Sequence, residues 1–324
     1  MGTVKKRMER PMGCYYLVCI IGQHITFNNT IKQMKIVNIL GGLGNQMFVY
    51  AMYLALKEAH PDEEVYLCRR SYKGYPLHNG YELGNVFGAD APEASLWQLA
   101  KVAYPYWNYK TWRLMRHFFP KRKCMLSGTT QINFDYGNVT RNDNGFYDGY
   151  WQNENNFLPI RDKILEAFSF PKFNDNKNIE LAELITNKRA VSCHVRRGDY
   201  LKDPLYGVCT SEYYVKAIDE INKKVSPELY CVFSDDIKWC KENLGEIIGK
   251  DKEIVFVDWN KGENSFRDMQ LMSLCNHNII ANSSFSWWGA WLNNHEDKVV
   301  IAPSVWMNKP MVNDPLCDSW IRIK

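Results

Sequence analysis

The chain of 324 residues has no apolar stretch approaching the roughly 20 residues that a bilayer-spanning helix needs, so it is not expected to cross a membrane. Its ten cysteines form no Cys-x-x-Cys pair and no metal-like cluster, and Cys193 and Cys231 sit inside apolar runs. They read as buried free thiols of a reducing compartment, not as a disulfide frame or a zinc site. A dominant charge is missing too: 40 Lys and Arg against 36 Asp and Glu leave +4. That balance is too small and too mixed to argue for a nucleic-acid partner, and it leaves anionic small substrates open. No Asp-x-Asp closes a strand to carry a divalent cation. The loop Gly41-Gly42-Leu43-Gly44 is not a dinucleotide fingerprint either, because Met47 occupies the third glycine position of G-x-G-x-x-G.

What is there is enough chain for about two domains, each with its own core. The first 33 residues differ in texture from the rest: Lys5, Lys6 and Arg7 precede the apolar run Cys14 to Ile21, and a polar stretch follows. A secretory leader is one reading, weakened by the lack of a clear small-residue cleavage site. A tidy domain begins at Met34, so residues 1–33 are expected to be an extension that is disordered or not part of the fold. The sequons at Asn28 and Asn138 are short enough to arise by chance.

From Lys35 to Leu40 the pattern is a buried strand, followed by the glycine loop and a helix from about Met47 to Ala59. Val65 to Cys68 reads as a second strand. The next sixty residues are rich in rings (Tyr104, Tyr106, Trp107, Tyr109, Trp112, Phe118 and Phe119), most of them expected in the core and some against a sugar. A polar loop after Phe170 makes the best boundary, which divides the chain into 34–175 and 176–324. Beyond it, strands are expected at 190–195, 229–233, 254–257, 277–281 and 298–302, with helices around 211–224, 236–244, 265–275 and 284–293. Such alternation implies parallel sheets covered on both faces. The fold class is therefore α/β, two Rossmann-like domains facing a cleft.

Ligands of an open parallel sheet bind at the carboxyl ends of its strands, and those ends are unusually polar here. Arg196, Arg197 and Asp199 follow the strand at 190–195. Ser234, Asp235 and Asp236 follow the second, and Asn282, Ser283, Ser284 and Ser286 follow the fourth. Two adjacent guanidinium groups suit a phosphate or carboxylate, although a plain ion pair with Asp199 explains them as well. Asn282 to Ser286 opens a helix whose free N–H groups can hold a phosphate; simple capping is the alternative. Ser234 or Asp235 can likewise cap a helix or accept from a ribose or guanine. Trp287, Trp288 and Trp291 are expected to pack against the sheet. Gln152 and Glu154 stand among aromatics after another strand, either lining an acceptor pocket or lying in a capping loop.

Taken together, four segments resemble the α-1,2-fucosyltransferases of glycosyltransferase family 11, in order and in spacing from Met34 to the C-terminus. They are Gly41-Gly42-Leu43-Gly44-Asn45-Gln46-Met47-Phe48, His194-Val195-Arg196-Arg197-Gly198-Asp199-Tyr200, Val232-Phe233-Ser234-Asp235-Asp236 and Ala281 through Trp291. The resemblance implies a GT-B fold with an acceptor domain facing a domain that binds GDP-fucose, and no required metal or other cofactor. It implies inverting transfer of L-fucose to the 2-hydroxyl of a terminal galactoside. Arg196 and Arg197 would stabilise departing GDP, and Asp199 ranks first as base ahead of His194 and Glu154. His194, Ser234, Asp235, Asn282, Ser283, Ser284 and Ser286 would hold the donor. Gly44, Asn45, Gln46, Gln152 and Glu154 would face the acceptor. The expected setting is the cytoplasm, with peripheral membrane contact if the galactoside is lipid-linked. Another nucleotide sugar, or a non-catalytic carbohydrate-binding role, remain the alternatives; a nicotinamide or flavin oxidoreductase fits the glycine pattern worst.

Overall fold

Strand β1 (Met34–Asn38) is buried at every position, including the aliphatic stem of Lys35. It pairs in parallel with β2 (Glu64–Cys68) on one side and β4 (Gly145–Gly149) on the other, and β3 (Met125–Gly128) closes the order β2-β1-β4-β3. In the computed structural model, which describes residues 33–128, 143–309, 311 and 314–324, a second parallel sheet follows. Its strands are β5 (Ala190–Val195), β6 (Leu229–Ser234), β7 (Glu253–Val257), β8 (His277–Ile279), β9 (Val300–Pro303) and β10 (Ile321–Ile323), in the order β10-β9-β8-β5-β6-β7. The α/β class with two parallel sheets is thus the one found. β5 occupies the centre of its sheet, and all six of its residues are buried, as a near-continuous apolar run requires. The readings for residues 1–32 and for the Asn138 sequon lie outside the described residues.

Several boundaries differ from expectation for local reasons. The first helix starts at Leu43, not Met47, because Gly42 takes an extended backbone and serves as its N-cap. The glycine loop is therefore partly its first turn. The strand expected at 277–281 ends at Ile279, and Ala281 to Ser283 turn the chain into the helix Ser284–Trp291. The polar segment after Phe170 does not stay a loop: Asp175 accepts from the Asn178 N–H and starts a helix, Asn176–Asn187.

The rings between 104 and 119 divide. Tyr104, Tyr106 and Trp112 fill a core beneath the first sheet, whereas Trp107, Phe118 and Phe119 are exposed, so the expectation that most of these rings are core is corrected. Trp287, Trp288 and Trp291 are buried, as expected of packing residues. They join Phe48 and Phe157 in one cluster that also takes residues from both sheets, including Val37, Val65, Val300 and Ala302. The described cysteines are free and all but Cys124 are buried.

Candidate functional site

Parallel strands release their last residues at one edge, and the two sheets bring their carboxyl edges to a common cavity of about 350 Å³. Asn38 at the end of β1, Ser127 in β3 and Asp148 in β4 line it from one sheet. Tyr200, Tyr206, Asn282 and Trp306 line it from loops of the other, joined by Ser284 at the start of the helix Ser284–Trp291. Asn45 and Gln152, proposed from separate motifs, meet there: the Gln152 amide donates to Asn45 Oδ1 at 2.6 Å.

Arg196 and Arg197 leave β5 beside this cavity and not within its lining; Tyr200, whose ring lies 5.5 Å from the Arg196 guanidinium, joins the two. Arg196 donates to Asp199 at 2.7 Å and to Asp235 at 3.0 Å. Arg197 reaches Asp236 at 3.2 Å, lies over the Trp239 ring at 4.3 Å, and its backbone N–H donates to Asp235. The plain ion pair exists, and it links the ends of β5 and β6 around two partly exposed guanidinium groups. A Cβ on Gly198 would fall 2.7 Å from an Asp235 carboxylate oxygen, so a side chain there would push that carboxylate out of its place in the clamp.

His194 is buried, its Nδ1 has no hydrogen-bond partner among the described residues, and burial together with the Arg196 charge pushes its pKa down to about 3. It is a neutral ring at working pH. From the first sheet's side His78 approaches the same region, held at a positive φ of 61° with its ring against Gly42. Burial first, then Arg196, lowers its pKa, while Asp199 opposes them.

The hydroxyls after β6 and β8 take local roles. Ser234 accepts from the Asp236 N–H and Asp236 caps the helix Ile237–Asn243, so the cap is neither Ser234 nor Asp235. Ser283 caps the helix Ser284–Trp291, and Ser286 is buried against the carbonyls of Ala281 and Ser283. Asn282 directs its amide to the carbonyls of Gly207 and Trp306, tying two cavity loops together. Ser284 alone of these hydroxyls lines the cavity.

Three acceptor-side residues lie elsewhere. Gln46 is fully buried and its amide is satisfied by Gly41, Gly80 and the Glu82 N–H. Gly44 makes a backbone contact: a Cβ on it would stand 2.6 Å from the Ser284 carbonyl carbon. Glu154 accepts from the Trp291 indole at 3.0 Å and lines a separate polar depression with Asp314 and Arg322.

The sequence reading missed Asp148. Its Oδ1 accepts from the Asn38 amide at 2.8 Å, and Asn38 Oδ1 in turn accepts from Tyr106 and Ser71. Arg116 stands 3.8 Å from the other carboxylate oxygen. Burial raises the Asp148 pKa, opposed by the Asn38 hydrogen bond and by Arg116 and Lys121. Its only mark in the sequence is a carboxylate at the end of the short apolar run Phe146-Tyr147, a weaker pattern than the arginine pair and the hydroxyls at the strand ends of the second half.

Residues 100–324 match the model of the family described as Glycosyl transferase family 11. An Escherichia coli alpha-1,2-colitosyltransferase is 34% identical over 89% of this chain and 98% of its own length. A Rattus norvegicus galactoside alpha-(1,2)-fucosyltransferase 2 is 24% identical over 82% of this chain and 68% of its own. Among solved structures, the alpha-1,6-fucosyltransferase NodZ soaked with GDP-fucose aligns over 88% of this chain and all of that one, at 14% identity and a TM-score of 0.49.

Proposed function

The chain belongs to glycosyltransferase family 11, and on that premise we propose that it transfers L-fucose from GDP-β-L-fucose to the 2-hydroxyl of a terminal galactoside, with inversion and without a metal. The observation that carries the reading is the arginine pair at the end of β5, held by Asp199, Asp235 and Asp236 beside a cavity. A diphosphate offers the same kind of partner as those carboxylates, so it can replace them on Arg196 and Arg197. As the bond from C1 to the phosphate oxygen breaks, negative charge grows on GDP, and fixed guanidinium groups stabilise that charge most in the transition state. Asp199, with one oxygen on Arg196, holds that arginine in place until the diphosphate takes over.

The proton of the acceptor hydroxyl needs another base, and Asp148 is the better placed. It faces the cavity from the acceptor side, Asn38 fixes its orientation, and its raised pKa makes it a stronger base than an ordinary carboxylate. Asn45 and Gln152 supply amide groups for sugar hydroxyls. The free thiols fit a reducing compartment, and work in the cytoplasm is part of the proposal.

The colitosyltransferase relative favours a second donor, GDP-colitose. Colitose is fucose without its 3-hydroxyl, so the choice rests on whether the site is built to hydrogen-bond that group. Purified enzyme should be given GDP-L-fucose, GDP-L-colitose and GDP-mannose with a panel of β-galactosides, and the linkage read by NMR. An α-1,2-fucosyl product supports the first reading. Turnover with GDP-colitose alone would replace it, and glycan binding without turnover, unchanged in Arg196→Ala, would return the protein to a binding role.

A further inference from the structure

Residues 110–123 carry six Lys and Arg (Lys110, Arg113, Arg116, Lys121, Arg122 and Lys123) and no Asp or Glu. This one helix and the turn after it thus carry +6 in a chain whose net charge is only +4. The helix, Tyr109–Phe118, turns Trp112 and Met115 toward the core of the first sheet. Its other face exposes Lys110, Arg113, Leu114, His117 and Phe118. Leu114 is 53% exposed and Phe118 68%, with Trp107 and Phe119 at 53% each. Single exposed apolar residues need no explanation, but four beside six cations and no carboxylate form a patch.

The patch is held in place at both ends. Arg122 donates to the carbonyls of Ala100, Lys101 and Ala103, which fixes the turn against the preceding helix, Leu96–Val102. Arg116 stacks near Trp112, lines the cavity and faces Asp148, so the basic surface runs to the cavity rim. Among the described residues no helix is long and apolar enough to cross a membrane.

We propose that the face formed by residues 107–123 docks on an anionic phospholipid bilayer. Lys110, Arg113, Lys121 and Lys123 meet the headgroups, while Leu114 and Phe118 enter the interface between headgroup and acyl chain. This orientation turns the acceptor edge of the cavity toward the lipid surface. It does not depend on which sugar the donor carries.

The test is flotation of the full chain with vesicles of phosphatidylcholine alone or mixed with phosphatidylglycerol. The unmodified protein is expected to float with the mixed vesicles only. Removing three cations in Lys110→Gln, Arg113→Gln, Lys123→Gln should weaken partitioning on the order of a hundredfold, at about fivefold per cation. The pair Leu114→Gln, Phe118→Gln should weaken it with every charge intact. Transfer to a soluble galactoside, measured alongside, should survive in both variants and reports that the fold is kept. Loss of GDP-fucose transfer in the unmodified protein would count against the donor and leave the vesicle result standing. The docking face is overturned if the unmodified protein ignores anionic vesicles or binds neutral ones equally. It is also overturned if the Leu114, Phe118 pair binds as tightly as the unmodified chain, which would mark a surface for soluble polyanions instead.

Discussion

The indole Nε1 of Trp288 donates to the Gly44 carbonyl at 2.9 Å, joining the first turn of one helix to the middle of another across 244 residues of sequence. The same glycine has its Cα hydrogens against the backbone of Ser284 and Phe285. Gly44→Ala therefore places a methyl group where backbone already stands, and neither partner is a flexible side chain. Overpacking of this kind costs about 1–3 kcal/mol. A drop in thermal midpoint together with lower transfer activity is the expected outcome, because Ser284 lines the cavity.

Removal of either arginine should slow transfer more than it weakens acceptor binding. Arg196→Ala and Arg197→Ala are expected to lower kcat on the order of 10²–10³, as loss of a fixed donor to developing negative charge does. Lysine is a poor substitute at both positions, since it lacks the planar fork that spans two oxygens. Steady-state kinetics with acceptor KM near the parental value would fit; unchanged kcat in both alanine variants would remove the pair from the reaction.

Asp148→Asn keeps a side chain of the same shape beside Asn38 and removes the base. The rate should fall on the order of 10²–10⁴. Its pH profile supplies the sharper readout. The base works deprotonated, so activity in the parent should decline as pH falls through the raised pKa of Asp148, and that acid limb should vanish in the variant. A limb that persists in Asp148→Asn assigns the proton to another group.

A second carboxylate lies away from the cavity and tests stability alone. Burial pushes the pKa of Asp268 up to about 7, against a hydrogen bond from Asn260 that opposes the rise. A folded pKa above the unfolded one means that the native state keeps its proton longer. Its contribution is thus fullest below about pH 4 and is lost as pH rises toward 7. Asp268→Asn should be the more stable protein at neutral pH, and its advantage should close on acidification in parallel thermal melts.

The second half was legible because it obeys simple periodicity. Strand β5 reads as five apolar or small residues and His194 bounded by Arg189 and Arg196, and the strand is found at 190–195. The first half was less legible because its site residues carry no distinctive neighbours. Asp148 looks like any carboxylate before a glycine until β4 is paired with β1 and Asn38 comes opposite it. Gln46 erred the other way: it sits within a motif, but the loop beside it uses its whole amide. The basic patch at 110–123 was hidden in a near-neutral total, since averaging over the chain erases local density.

The aromatic cluster around Phe48, Phe157 and Trp288 draws side chains from both sheets into one buried interior. A hinge that swung the two sheets apart would have to open that interior to water. Product escape is then expected to use shorter travel, by the segments bearing Tyr206 and Trp306, whose loops Asn282 tethers through the Gly207 and Trp306 carbonyls. Slow release, if turnover is limited there, belongs to those tethers and not to a swinging half of the molecule.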